Sequence, residues 1–264
     1  MTVAAPSVPR VTTTPPTVPV ETHRRTVFGY LIRPLLCAAV LVVLFAVINS
    51  RPLDTIEQRA LSSANLLAAI GEHLALTLVS TVLVIIIALP LGILFSRSFF
   101  RPIRPFLIGL FNLGQALPTI GILVLFAVAF SFVGFGATII GLVIYAIIPV
   151  MLNTVVGLQQ VDPAVLESGR GMGLSSRQVL FGIELPLSVP IILAGVRTAL
   201  VINVGTATLA AYIDAGGLGR VIVAGMATNR QLIQIAGAVL TAVLALLIDY
   251  LAGVIEDAVR PSGL

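Results

Sequence analysis

The sequence contains 264 residues, of which 58% are hydrophobic and 10% are charged, and its formal net charge is +4. Because about a quarter of the residues of an ordinary soluble domain are charged, this composition excludes a water-soluble globular protein and indicates that lipid surrounds most of the chain. The basic residues are all Arg and are scattered along the sequence, which argues against a nucleic-acid-binding protein, and the single cysteine, Cys37, excludes an intrachain disulfide.

The N-terminal part of the chain combines a Pro-rich tail with a first apolar run. Residues 1–26 are rich in Pro, Thr and Val, and because repeated Pro disfavours helices and sheets we expect a disordered tail there. The apolar run Leu35–Ile48 follows, and a signal peptide is the alternative interpretation because Arg24 and Arg25 precede it. The run ends in a poor cleavage site, and the arginines fit a twin-arginine signal badly. We therefore predict an uncleaved extra helix with an external loop over residues 27–59.

Five further apolar runs are long enough to cross a bilayer, which gives about six transmembrane helices and an all-α polytopic membrane protein. Open β structure is excluded because lipid cannot satisfy unpaired backbone groups. Three of the runs contain a proline (Pro90, Pro118 or Pro149), and we expect a tolerated kink at each. The five runs are Leu74–Phe95, Phe106–Phe132, Ala137–Leu158, Val189–Ile213 and Leu232–Ile255.

The arginines predict the orientation, because cytoplasmic loops carry the excess of basic residues. With the N-terminus inside, most arginines that flank the runs lie on the cytoplasmic side. Both termini are then cytoplasmic, including a C-terminal tail over residues 257–264, and so is the polar segment 160–187. The inner set is Arg10, Arg24, Arg25, Arg33, Arg97, Arg101, Arg104, Arg170, Arg177 and Arg260; the outer set is Arg51, Arg59, Arg220 and Arg230.

The cytoplasmic segment 160–187 contains start and stop signals for two short helices. Asp162 followed by Pro163 is typical of an N-cap with Pro at the first helical position, and we predict a helix that ends near Gly171. Gly173 suits the left-handed conformation of a C-terminal stop. One face of this helix is nearly bare and would let another protein approach the backbone; it consists of Ala164, Ser168 and Gly171, with Glu167 beside it.

The second short helix begins at Ser175, which forms a capping box with Gln178. Val179 and Ile183 share an apolar face that can lean on the membrane domain, and we expect Leu185-Pro186 to end the helix. From these caps alone, a hairpin that rests on the lipid headgroups is as good an interpretation as a docking site for a partner.

The spacing of small and charged residues in this segment resembles the EAA loop of type I ABC importer permeases. Glu167 is followed by two small residues and later by Gly173, and the segment closes with Ile-Glu-Leu-Pro at residues 183–186. Ser168 and Gly169 replace the two alanines of the family pattern, which keeps the small size but weakens the helix. The resemblance implies a coupling helix that docks on a cytoplasmic ATPase. The coupling residues that it implies are Glu167, Ser168, Gly169, Gly173, Leu174, Ser175, Ile183, Leu185 and Pro186.

Three further stretches are similar to the osmoprotectant branch of that family, namely residues 115–123 (QALPTIGIL), 195–213 and 215–219 (AGGLG). The branch imports glycine betaine, choline, carnitine and related quaternary ammonium compounds. The resemblance covers residues 60–256 and implies the type I ABC importer permease fold for them. Asp214 stands where the family has a small residue, so we expect the outer mouth to differ. A permease for an amino acid such as methionine is the alternative within the family.

The resemblance also implies the partner subunits and which of them hydrolyses ATP. Importers of this type combine two permease subunits, a cytoplasmic ABC ATPase dimer and an extracytoplasmic substrate-binding protein in the bacterial plasma membrane. The sequence has no glycine-rich phosphate loop and no Lys to end one, so we expect this chain to be no enzyme and to bind no cofactor or metal. ATP and Mg would be used by the partner ATPase. Whether the permease pair is a homodimer or a heterodimer stays open.

Small and polar residues on the predicted membrane helices are candidates for the translocation pathway. On the run Val189–Ile213, the fifth of the six predicted spans, four such residues recur at helical spacing and share one face. Tight helix packing is an equal alternative for this stripe, because small and polar residues serve there too. An aromatic ring elsewhere could attract a quaternary ammonium group, although a packed core ring is the more common case. The stripe consists of Ala199, Asn203, Thr206 and Ala210; the other candidates are Asn112, Gln115 and the aromatic Tyr145.

Charged residues inside the apolar runs are few. Arg197 lies near the start of its run, and we expect it to act as a structural brace paired with Glu184 or Glu167. No carboxylate is placed near the middle of a run, where proton- or sodium-coupled carriers commonly have one. This argues against the main rival function, a carrier or channel that needs no ATPase. A scaffold subunit that transports nothing is a second rival.

Overall fold

The computed structural model describes residues 27–259, except for the side chains of residues 27–30, 111, 112 and 114–116. All regular secondary structure in these residues is helical. The predicted disordered tail 1–26 and the end of the C-terminal tail lie outside the described residues. The α-helices are α1 (Val27–Asn49), α2 (Thr55–Ala60), α3 (Ser63–Ser96), α4 (Arg104–Ala116), α5 (Thr119–Phe130), α6 (Phe135–Gln159), α7 (Pro163–Gly171), α8 (Ser176–Val179), α9 (Leu185–Thr206), α10 (Leu218–Ala227) and α11 (Gln231–Val259). Two 3-10 helices cover Ser98–Phe100 and Ala207–Ile213, and a π-helical turn covers Leu180–Glu184.

Five helical segments of the described chain are long and apolar enough to cross a membrane. They coincide with five of the six predicted spans, although the second begins at Ser63, well before the predicted Leu74. The extension is polar at its start, and Ser62 caps it by accepting the Asn65 N–H with its side chain. The five segments are Leu31–Asn49, Ser63–Ser96, Phe135–Gln159, Ser176–Ile213 and Gln231–Val259.

The predicted span Phe106–Phe132 is not a single helix, so that prediction is wrong in detail. Leu117 and Pro118 are both extended, with ψ values of 137° and 129°, and they separate α4 from α5. The physical reason is that the ring of Pro118 disfavours the helical conformation of the residue before it. Pro118 therefore breaks the helix instead of kinking it, whereas Pro90 and Pro149 lie inside continuous helices. Neither α4, with 13 residues, nor α5, with 12, is long enough to cross the hydrocarbon alone.

The centre of the bundle is formed by α6, which packs against α3 on one side and α9 on the other. Glycines allow both contacts to be close. At Gly92 of α3, an added Cβ would lie 2.5 Å from the Cβ of Thr154 on α6. At Gly195 of α9, it would lie 2.8 Å from the Pro149 carbonyl oxygen. Small residues at such crossings bring helix backbones together, which favours packing in lipid.

The extra helix α1 packs on α11 at the edge of the bundle. Its buried side chains Leu44 and Ile48 join Leu232 and Leu240 of α11 in one apolar cluster. Leu66 of α3 belongs to the same cluster, so α1 is part of the packed protein and is not an isolated anchor.

Candidate functional site

The predicted first short helix of the segment 160–187 is confirmed as α7. The Asp162 carboxylate accepts the Ala164 N–H at 2.8 Å, and Pro163 takes the first helical position. The helix ends at Gly171, and Gly173 has the predicted left-handed conformation with φ of 86°. The Leu174 N–H then donates to the Gly169 carbonyl at 3.2 Å, which closes the turn.

The second helix begins as predicted but does not end where expected. Ser175 and Gln178 form the predicted capping box, in which the Ser175 N–H donates to Gln178 Oε1 at 2.8 Å. The helix then continues through the π-helical turn into α9, so the predicted end at Leu185-Pro186 is wrong. The Leu185 N–H donates to the Leu180 carbonyl in this wider turn. Pro186 lies directly after this turn, where the regular hydrogen-bond ladder is already interrupted, so its missing N–H costs less than in the middle of an α-helix.

The two short helices pack on each other at Gly169. Gly169 is buried, and an added Cβ would lie 2.7 Å from Cδ1 of Ile183 and 3.8 Å from Cγ2 of Val179. Val179 is fully buried. Two of the implied coupling residues, Gly169 and Ile183, therefore contact each other inside the hairpin. They are not available on its surface for contact with a partner.

The outer surface of the hairpin is small and polar around α7. Its exposed members include Glu167, Ser168, Gly171 and Ser175, while Leu174 and Leu185 are half-buried. Met172 at the tip is 76% exposed, and sequence reasoning did not identify this side chain. A single exposed apolar side chain is common on protein surfaces, so the small side chains of α7 are the feature that would let another protein approach closely. We call the exposed set Glu167, Ser168, Gly171, Met172 and Ser175 the hairpin surface.

An ion pair that sequence reasoning missed ties the hairpin to the bundle. Glu184 in the π-helical turn is only 4% exposed, and its Oε2 lies 2.5 Å from Nη2 of Arg97 at the end of α3. Arg104 supports the same region by donating from Nε to the Phe95 carbonyl at 2.7 Å. The expected pairing of Arg197 with Glu184 or Glu167 is therefore wrong. The position of Arg97 directly after the second span was the available signal.

Arg197 instead joins three of the long apolar helices. Its Nη2 donates to Asp249 Oδ2 of α11 at 2.7 Å, and its Nη1 lies 3.5 Å from Glu256. Asp249 also accepts from Nη1 of Arg33 on α1 at 3.0 Å. Arg197 prefers these partners because α11 packs directly against α9 and places two carboxylates beside the guanidinium. The cluster links α1, α9 and α11.

The stripe on α9 lies in the packed interior of this conformation. Ala199, Asn203 and Ala210 are fully buried, and Thr206 is half-buried and donates to the Ile202 carbonyl at 2.7 Å. Asn203 Nδ2 donates to Thr81 Oγ1 of α3 at 2.9 Å, while its Oδ1 has no partner among the described residues. In this conformation the stripe is therefore arranged as helix packing, and its role in a pathway stays a prediction.

Among the remaining pathway candidates, the structure describes the side chain of Tyr145. Tyr145 is 8% exposed within α6, so its ring faces the packed interior. The side chains of Asn112 and Gln115 lie outside the described residues, and the pathway prediction for them stays untested.

At the opposite end of the bundle, two polar side chains of α3 hold the AGGLG loop. Glu72 on α3 accepts the Gly217 N–H at 2.8 Å, and the neighbouring His73 accepts the Leu218 N–H on Nδ1 at 3.3 Å. Nε2 of His73 lies 2.9 Å from the Val204 carbonyl, so both ring nitrogens contact backbone groups. Asp214 begins the loop in a left-handed conformation with φ of 59° and is exposed. The fully buried His73 thus joins α3, α9 and the loop.

Comparisons with known proteins agree with this architecture. Residues 88–261 match the family described as "Binding-protein-dependent transport system inner membrane component". The chain is 38% identical over 203 residues to the glycine betaine/carnitine/choline transport system permease protein OpuCB of Bacillus subtilis (strain 168), which covers 77% of this chain and 92% of that protein. It is 32% identical over 216 residues to the osmoprotectant import permease protein OsmW of Salmonella typhimurium, covering 80% of this chain and all of that protein.

A solved structure has the same fold. An inward-facing structure of the MetNI methionine ABC transporter superposes with a TM-score of 0.66 at 23% identity and covers 79% of this chain. At this identity the likeness concerns the fold, which is that of type I ABC importer permeases. Together with the family match and the two relatives, it shows that this chain belongs to the family of inner membrane components of binding-protein-dependent transport systems, as an ABC importer permease.

Proposed function

We propose that this chain transports a quaternary ammonium osmoprotectant, such as glycine betaine, choline or carnitine, and that it does so by alternating access driven by a separate cytoplasmic ATPase. The observation that carries the coupling is the continuity of the second half of the hairpin with α9. A partner that binds the hairpin surface and moves would therefore move α9, a membrane-spanning helix, directly. The names of the two relatives support the substrate class.

The working complex would contain a pair of permease subunits, an ATPase dimer and an extracytoplasmic binding protein. ATP and Mg would act in the ATPase, and this chain would supply no catalytic group. When the ATPases close, the hairpin would follow them, and Arg97 and Glu184 would pass the displacement to α3 as well as α9. A methionine permease is the alternative within the family, and the names of the two relatives favour the osmoprotectant class over it.

The test is ATP-driven uptake by the assembled transporter in proteoliposomes. Glu167→Lys should reduce uptake strongly, because it reverses the charge on the hairpin surface and does not touch the packed core. Gln58→Lys is the matched control, since Gln58 is an exposed helical residue at the other end of the bundle. Normal coupled uptake in Glu167→Lys would contradict the docking proposal.

Substrate class and energy source are tested in the same vesicles. Unlabelled choline or carnitine should compete with labelled glycine betaine, and methionine should not. Competition by methionine alone would favour the methionine alternative. Uptake that persists without any ATPase would favour a carrier or channel.

A further inference from the structure

A groove runs between α1 and α11 on the lipid-facing side of the bundle. Its volume is about 480 Å³, within the range of sites that hold single small molecules. Leu44 and Leu232 form its buried floor, where the two helices are in contact. The walls are aliphatic and open to the membrane, because Leu36, Val43 and Ile235 are about half exposed.

One end of the groove is polar. Arg51 and Gln231 line it there, just after the end of α1 and at the start of α11. Within the described part of the chain Arg51 has no hydrogen-bond or carboxylate partner, whereas two other arginines at this end are paired. Arg220 lies 3.3 Å from Glu72, and Arg230 lies 2.8 Å from Asp54. The groove therefore has aliphatic walls and, at one end, the cationic side chain of Arg51. No carboxylate in the described part of the chain pairs with this side chain.

The length of the groove matches one leaflet of a bilayer. From Leu36 to Val47 the wall of α1 spans about 16 Å at the rise of an α-helix. Half of the hydrocarbon thickness of a membrane is about 15 Å. Arg51 follows the end of α1 and would then lie at the level of the lipid headgroups, where guanidinium groups bind phosphate.

We propose that this groove binds one phospholipid, with an acyl chain along the aliphatic walls and the phosphate against Arg51. The lipid fills the space that α1 and α11 leave open and completes the packing of the extra helix on the bundle. With the N-terminus in the cytoplasm, the bound lipid belongs to the outer leaflet.

Photolabelling tests the proposal on the full-length protein in the assembled transporter. The vesicles contain phosphatidylethanolamine and phosphatidylglycerol, and the probe is phosphatidylglycerol with a photoreactive diazirine in its acyl chain. Adducts should concentrate on residues 36–47 and 231–239. Arg51→Gln should lower this labelling roughly three- to tenfold, as expected for the loss of one charge-assisted contact. Arg59→Gln, at the same end of the bundle but outside the groove, should leave it unchanged.

Two further arms separate a bound lipid from the lipid that surrounds any membrane protein. Ala39 lines the groove and Ala38 does not, so Ala39→Trp should abolish the concentrated labelling and Ala38→Trp should retain it. A diacylglycerol probe, which has the chains but no phosphate, should label weakly and respond little to Arg51→Gln. Labelling that is uniform around α1, equal for the two probes or unchanged in Ala39→Trp would overturn the proposal. So would a second protein helix crosslinked in the groove.

Discussion

Gly173 is the residue on which the bend between α7 and α8 depends. Its φ of 86° costs an ordinary L-residue about 1–2 kcal/mol, while Asn tolerates this conformation better. Gly173→Leu should therefore misplace the hairpin surface and lower the uptake per ATP hydrolysed, whereas Gly173→Asn should stay close to wild type. Uptake and ATP hydrolysis measured together in proteoliposomes check this. A fully coupled Gly173→Leu transporter would show that the bend is not needed.

Arg97 and Glu184 form the contact between the hairpin and α3, and a charge swap tests it. Glu184→Arg should impair assembly or uptake, because it places a second cation beside Arg97 in a nearly buried position. The double variant Arg97→Glu with Glu184→Arg should recover part of the loss, with a coupling of about 1 kcal/mol in a double-mutant cycle. Equal defects in the single and the double variants would mean that the pair does not act as a unit.

At the scale of elements, the crossing of α6 and α9 depends on Gly195. A Cβ there would lie 2.7 Å from the Asn153 Cβ as well as close to backbone, so Gly195→Ala should destabilise the protein by about 1–3 kcal/mol. Gly205 is on the same helix and has no atom within 4 Å of an added Cβ. Gly205→Ala should be neutral or slightly stabilising. Thermal unfolding of the detergent-solubilised protein distinguishes them, and an equal loss in both would contradict the close packing.

Local chemistry explains which elements could be predicted from sequence. The start of α7 at Pro163 and its end near Gly171 were predicted, because Asp162, Pro163 and Gly173 act on the backbone next to them. The extension of α3 to Ser63 was missed, since Glu72 and His73 interrupt its hydropathy and find their partners far along the chain, in α9, the AGGLG loop and α10. The partner of Arg197 was also missed. The packing of α11 on α9 brings Asp249 to Arg197, and the sequence alone does not reveal which helices pack together.

At the scale of the whole molecule, the orientation rests on the distribution of arginines and can be measured. Cys37 is the single cysteine of the sequence, so a Cys37→Ala background contains no native thiol. In that background a cysteine at Ser175 should react with a membrane-impermeant maleimide only from the cytoplasmic side. A cysteine at Gln58 should react only from outside. The reverse pattern would overturn the topology and with it the docking of an ATPase on the hairpin.

The uninterrupted helix Ser176–Ile213 has a consequence for chain length. Each residue of an α-helix advances the rotation about its axis by about 100°. One amino acid inserted between Ser176 and Gly195 would therefore rotate the hairpin surface by about 100° about the helix axis, while the rest of α9 stayed in place. The tip at Met172–Leu174 is no alternative place for an insertion, because the bend there depends on the left-handed Gly173. The helix from Ser176 to Gly195 should therefore keep a constant number of residues.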